Sequence, residues 1–376
     1  MKYRSFGRTG WNASALAFGC MRLPCNGGPD KVDEALSMRM IRTAIDAGVN
    51  YVDTAYPYHG GKSEVAVGKA LKNGYRQKVK LADKMPMWLL KEPADLDRIF
   101  NEQLSRLQTD HIDLYLLHSL NRPTWKKAQD LGVLEWAERQ VSAGRIQWIG
   151  FSFHDELAAF KEIVDGWEKW TFCMIFYNYA SETVQAGTEG LHHAASKGLA
   201  VSVMEPLMGG NLVNPPPVVK ALWEKAPKRR TPADWALQWV WNKPEVSTVL
   251  SGMSSMVQVQ ENLASAERSA VGSLSAEEVE IVSQVGAAYE TLRPIPCTQC
   301  GYCMPCPSGV NIPRVLDVYN KAVAFCNPSE ASREFGFLKR GERAGACTEC
   351  QECEGKCPQE VPVHEWMKRI AKEFGG

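Results

Sequence analysis

The chain has 376 residues, 45% hydrophobic and 23% charged, the proportions of an ordinary globular protein. Its 43 Lys and Arg offset 43 Asp and Glu, which argues against a general nucleic-acid binder. No apolar run reaches the ~18 residues of a membrane span, and the polar residues 1–10 lack a secretory pattern, so no membrane contact and a cytoplasmic location are expected.

The opening segment, 2–12, contains Gly7 and Gly10 and reads as a hairpin. Short β-rich runs then follow at 14–20, 50–55, 79–84, 112–118, 147–153, 172–178, 200–206 and 247–252, most bounded by Gly, Pro, Asp or Asn. Helical periodicity fills the gaps. Leu36, Met40, Ala44 and Ala47 share one face, and Leu96, Ile99, Phe100, Leu104 and Leu107 another. Thr231-Pro232 is a helix start with Pro at the first helical position. Eight β–α alternations over about 255 residues predict an α/β fold, a (β/α)8 TIM barrel. The competing reading is a doubly wound open sheet, but no G-x-G-x-x-G follows the first strand.

A last helix begins at Ser275, which forms a capping box with Glu278. Arg293-Pro-Ile-Pro296 ends it. The boundary is expected here: residues 1–293 for the barrel, 294–376 for a small, mainly α-helical domain.

Cysteine usage changes at the same point. Nine of the 12 cysteines fall between Cys297 and Cys357. They form Cys297-x2-Cys300-x2-Cys303-x2-Cys306-Pro and Cys347-x2-Cys350-x2-Cys353-x3-Cys357-Pro. Three closely spaced thiolates can each reach a different iron of one cube, and a fourth followed by proline ligates the partner cluster. Two [4Fe–4S] clusters are therefore expected, on Cys297, Cys300, Cys303 and Cys357 and on Cys347, Cys350, Cys353 and Cys306. Zinc would favour separated cysteine pairs. Cys326 lies off the pattern and reads as a buried free thiol. Helical periodicity between the motifs, 312–325, makes the tail resemble the α-helical ferredoxin module attached to oxidoreductases.

Four residues fall at or just beyond the carboxyl ends of consecutive predicted strands: Asp53, Tyr58, Lys84 and His118. In a parallel barrel these ends share one face. A tyrosine with an ordinary pKa near 10 is a poor acid–base group at neutral pH. A neighbouring Lys⁺ favours its tyrosinate, Asp⁻ holds the lysine, and a histidine orients the substrate oxygen. Trp11, Tyr56, Met87 and Trp88 are candidates for a ring-binding pocket.

Val52-Asp53-Thr54-Ala55-x-x-Tyr58 with Ser63-Glu64, Leu81-Ala82-Asp83-Lys84, residues 112–118, Ile149-Gly150-Phe151-Ser152, and Ser251-Gly252-Met253 with Glu261-Asn262 resemble the signatures of the aldo/keto reductase superfamily. With the tail, the whole chain resembles the branch carrying a C-terminal 4Fe–4S dicluster domain. The resemblance implies an oxidoreductase that interconverts a small-molecule carbonyl and alcohol with NADP(H) or NAD(H). Tyr58 would be the general acid, tuned by Lys84 and Asp53, with His118 orienting the carbonyl. The cofactor would contact Gly19, Ser152, Asn178, Pro206, Leu207, Gly210, Ser251, Gly252, Met253, Gln258, Glu261 and Asn262. The clusters imply ferredoxin or another redox partner. Three departures stand out. Met174 replaces a glutamine that holds the nicotinamide amide, Met204 a stacking tyrosine, and Gly252 and Gln258 the cations that grip the 2′-phosphate of NADP. Similar affinities for NADH and NADPH are expected, with Arg268 able to approach. The alternative is a barrel that has lost nicotinamide use and serves as a ligand- or partner-binding or ferredoxin-linked electron-transfer protein with structural clusters.

Overall fold

A computed structural model describes residues 1–297 and 299–374. Strands β1 (Tyr3–Ser5) and β2 (Asn12–Ser14) form an antiparallel hairpin. Eight parallel strands then close a barrel: β3 (Leu16–Gly19), β4 (Tyr51–Asp53), β5 (Lys80–Pro86), β6 (Ile112–Leu120), β7 (Ile146–Phe153), β8 (Phe172–Phe176), β9 (Ala200–Met204) and β10 (Val246–Gly252). Sequential neighbours pair, and β10 closes on β3. All eight predicted strands are present, and the open-sheet reading is excluded. The first predicted strand divides: residues 12–14 belong to the hairpin, and the barrel strand starts at Leu16.

Parallel strands covered on both faces are apolar along their length, as β6 is. The barrel interior holds Tyr51, Leu114, Leu116, Phe172 and Met174, and the hairpin contributes Phe6 to the same cluster. Gly7 permits this. Its φ is +53, and a Cβ there would lie 2.5 Å from the Ala200 backbone nitrogen. Gly150 serves a different close approach: a Cβ would lie 2.5 Å from the Phe172 carbonyl oxygen, on the neighbouring strand. Asn50 ties the hairpin to the barrel, accepting from Ser14 N at 2.7 Å. Trp11 packs 5.9 Å from Trp148 in a stacked arrangement and against Phe6. It therefore belongs to the hairpin's packing and not to a substrate pocket.

Helices run where periodicity predicts, among them Glu34–Asp46, Ala94–Leu107 and Pro232–Trp241. Thr231 caps the last by accepting from Asp234 N. The Ser275–Glu278 capping box forms at the start of helix Ala276–Thr291.

By contact the chain divides into two compact units, Met1–Gly209 with Arg230–Val279, and Gly210–Arg229 with Glu280–Gly376. The second unit has its own core, built by Ile295, Val315, Tyr319, Phe335, Val363 and Met367, with Cys297, Cys303, Cys306, Cys347, Cys353 and Cys357 packed against it. Its helices include Ile312–Ala324, Pro328–Gly336 and Val363–Phe374. Cys326 is exposed, not buried. It follows the end of the first of these helices with φ +50, and that turn leaves the apolar face. No helix among the described residues is long and apolar enough to cross a membrane.

Candidate active site and cysteine pockets

Asp53 ends β4, and Lys84 and His118 sit within β5 and β6, two residues before each strand's last. Tyr58 begins a short 3-10 turn, Tyr58–Gly61, beyond β4. The four side chains meet. Lys84 is 1% exposed, and its Nζ lies 2.5 Å from Asp53 Oδ1 and 2.7 Å from the Thr54 carbonyl oxygen. The ammonium lies 4.9 Å from the centroid of the Tyr58 ring. The His118 ring meets Tyr58 edge-on at 6.0 Å. Trp88, 47% exposed, lies 5.0 Å from His118 on its other contact. Of the pocket candidates Trp88 is at this site, Met87 is buried, and Tyr56 turns to Glu102, its Oη donating at 2.9 Å.

The electrostatics assign each group a state. Burial pushes the Lys84 ammonium down, but Asp53 and the Tyr58 hydroxyl together hold it above its ordinary value. Burial raises the Asp53 carboxyl, against the pull of Lys84. Burial also raises Tyr58 above the usual tyrosine value, and Lys84 only partly offsets this. The expected bias to tyrosinate is thus reversed: Tyr58 is a protonated phenol at neutral pH. His118 is held well below the usual histidine range by burial first and the Lys84 charge second, so its imidazole is neutral. Its Nδ1 is buried with no hydrogen-bond partner.

The residues expected at a dinucleotide are mostly at the same strand ends. Gly19 pairs with Gly252, and a Cβ on Gly19 would lie 3.3 Å from the Ser251 carbonyl oxygen. Ser152 Oγ accepts from Ser119 N at 2.8 Å, and Asn262 Nδ2 donates to Ser251 Oγ at 2.9 Å. Asn178 donates to the Glu205 carbonyl. Gln258 accepts from Ser254 N, shaping the turn into helix Met256–Glu267. Met253 is buried; Glu261 lies on that helix. Pro206 and Leu207 follow β9, while Gly210, with φ +102, falls in the second unit. Met174 is core of the barrel and Met204 packs against it. Arg268 is committed elsewhere, to Asp234 and the Ala264 carbonyl. Arg22, which sequence spacing did not single out, lies beside Gly252: a Cβ there would lie 3.4 Å from the Arg22 Cβ and Cγ. Its signal was a basic residue just past the first barrel strand.

In the second unit, Cys306, Cys347, Cys350 and Cys353 line one pocket with Val310, Ile312, Val363 and Met367. The thiol of Cys297 lies within electrostatic reach of Cys300 and Cys357, and Cys303 of all three. Cys353 lies within electrostatic reach of Cys303 as well as Cys347, so the two sets of thiols adjoin. Among the described residues no three His, Cys, Asp or Glu side chains converge on a point fit for one metal ion. A cube does not require that, because each thiolate binds a different iron. Four thiols in a largely apolar shell fit such a cluster.

Comparison with known proteins agrees. The family model of the aldo/keto reductase family matches residues 15–287. That of the 4Fe-4S dicluster domain matches 296–362. The oxidoreductase YrpG of Bacillus subtilis is 33% identical over 234 residues, 56% of this chain and 68% of its own. L-Galactose dehydrogenase of Arabidopsis thaliana is 29% identical over 78% of this chain and 96% of its own. The holo form of aldo-keto reductase AKR11C1 from Bacillus halodurans superposes with TM-score 0.62 at 30% identity, covering 76% of this chain and 96% of that one.

Proposed function

The chain belongs to the aldo/keto reductase family and is an oxidoreductase carrying a 4Fe-4S dicluster domain; from that premise, we propose that its barrel interconverts a small carbonyl compound and its alcohol using a nicotinamide dinucleotide. The observation that carries this reading is the buried Lys84–Asp53 pair beneath Tyr58, with neutral His118 against the same ring. Residues 1–293 form the reductase part and 294–376 the cluster domain. The Arabidopsis relative, L-galactose dehydrogenase by name, is a dehydrogenase of a sugar, which is chemistry of the same carbonyl/alcohol class.

A bound nicotinamide would supply the hydride. Tyr58 Oη donates the proton to the carbonyl oxygen in reduction and takes it back in oxidation. Neutral His118 holds that oxygen without competing as an acid. Lys84 provides fixed positive charge beside the phenol, which stabilises the phenolate left after transfer. Asp53 holds Lys84 in place. Trp88 gives the pocket an aromatic wall, suited to an apolar or ring-bearing substrate. The Gly19–Gly252 edge leaves backbone open to close approach, and helix Met256–Glu267 begins nearby, its Gln258 N–H capped by Ser255 Oγ, where the N-terminal end of its dipole favours a phosphate. Two [4Fe–4S] clusters would be held by Cys297, Cys300, Cys303 and Cys357 and by Cys306, Cys347, Cys350 and Cys353. When bound they would supply single-electron exchange with ferredoxin or a similar partner.

Tyr58→Phe tests the assignment. Carbonyl reduction is expected to fall by about 10²-fold or more, with dinucleotide affinity near wild type, because only the transferable proton is lost. Near-wild-type turnover would remove Tyr58 as the donor.

A further inference from the structure

Next to Lys84 along β5 and on the neighbouring helix lies a second ionisable cluster with no part in the steps above. Glu64 and Asp83 are both fully buried. Each carboxyl has one satisfied oxygen. Glu64 Oε2 accepts from Arg106 Nη1 at 2.8 Å, and Asp83 Oδ1 accepts from the Lys84 backbone N–H at 2.8 Å. The other two oxygens, Glu64 Oε1 and Asp83 Oδ2, are buried with no donor. The two carboxyls are near enough to interact, and the Gln103 amide also comes near Glu64 although its Nε2 donates to the Lys84 carbonyl. Two ionised carboxylates can only accept. Left so, both orphan oxygens pay the full cost of desolvation and their charges repel. One proton between them removes both defects.

We propose that Glu64 and Asp83 share a single proton, and that Asp83, held as the neutral partner, is a positioning residue that fixes the backbone of Lys84 without adding charge beneath it. The neighbourhood balances on this count. Lys84 faces Asp53; Arg106 faces the one negative charge of the pair and, at the surface, Glu102. The remaining groups around the pair are neutral. Tyr115 donates to Gln103 Oε1, and Gln103 Nε2 donates to the Lys84 carbonyl at 2.9 Å. Both Lys84 backbone groups are thus gripped, the N–H by Asp83 and the carbonyl by Gln103. Burial and the adjacent Glu64 carboxylate both hold the Asp83 proton on, in agreement with this state. A second unshared negative charge would act on Lys84 and Tyr58 alike, both of which feel Asp83.

The consequence for Tyr58 rests on its proposed role as acid; the shared proton does not. Infrared spectra of the full-length protein should therefore contain a protonated-carboxyl C=O band, constant from about pH 6 to about pH 8.5. Asp83→Asn should abolish that band, since its amide donates to Glu64 without a proton to lose. Asp83→Thr, whose hydroxyl can donate likewise, serves if the asparagine variant does not fold. Absence of the band in the wild type, or its survival in the variant, overturns the proposal whatever the enzyme reduces. With carbonyl reduction as the second readout, Asp83→Asn should keep kcat/KM within about threefold and leave the pH profile in place. A displacement of the alkaline limb by about one pH unit would mean that Asp83 carried charge, and refutes the neutral state.

Discussion

Replacing Lys84 by methionine isolates what its ion pair does. The two side chains are nearly the same length, so little volume changes, but Asp53 loses the one charged partner it has among the described residues. Asp53 is 3% exposed, and its Oδ2 already lacks a hydrogen bond. The carboxylate is left buried and unpaired, or takes up a proton. Breaking a buried pair on one side costs about 3–5 kcal/mol. For a barrel of this size each kcal/mol moves Tm by about 2–4 °C, so a fall of roughly 6–20 °C is expected. Asp53→Asn strands the lysine in turn, which keeps only the Thr54 carbonyl and the Tyr58 ring. In the double variant neither charge remains, and its loss should be smaller than the sum of the singles by about 2 kcal/mol. The cycle belongs at neutral pH. Lys84's folded pKa lies above its unfolded value, so its contribution is complete there and is lost only as pH rises past the ordinary lysine value of about 10.4. Tryptophan fluorescence is the assay, because all tryptophans except Trp223 and Trp366 lie in the barrel unit. Additivity within about 0.5 kcal/mol would show the two residues to be uncoupled. It would sink the claim that Asp53 acts through Lys84.

Four further expectations follow. The raised pKa of Tyr58 keeps the phenol protonated, so kcat/KM for carbonyl reduction should lose activity only above the ordinary tyrosine value of about 10; an alkaline limb near neutrality would identify a different acid. His118 has the opposite sign: its folded pKa is depressed, so the stability linked to it is present above the ordinary value of about 6.5 and is lost as pH falls. His118→Asn should flatten the acid arm of the stability curve, and an unchanged arm would place the acid sensitivity elsewhere. Anaerobically purified protein should carry about eight iron and eight sulfide per chain; stoichiometric zinc without sulfide would end the cluster assignment. NADH and NADPH should bind within roughly tenfold of each other, about 1.4 kcal/mol, in direct titrations at one ionic strength. A hundredfold preference for NADPH that Arg22→Ala abolishes would instead give the 2′-phosphate to that guanidinium.

What the sequence determined by itself was whatever depends on short-range spacing. Short β-rich runs bounded by turn residues located every barrel strand, and period-3.6 patterning the principal helices, because burial leaves its mark residue by residue. The cluster motifs were legible for the same reason: thiolates three positions apart can each reach a different iron of one cube, so local spacing alone marks them. Asp53, Lys84 and His118 could be grouped because strand ends in a parallel barrel share a face. Only tertiary packing decided the remainder. Trp11 went to the hairpin's aromatic cluster because its neighbours Phe6 and Trp148 come from distant segments. Arg22 reached Gly252 across 230 residues of chain through the pairing of β3 with β10. The state of Tyr58 turned on burial, which outweighed the lysine beside it. Glu64 and Asp83, from a helix and a strand, met where neither finds a second donor. A charge's partner can be guessed from residue types, but its solvation is a property of everything packed around it, and solvation sets which protons stay.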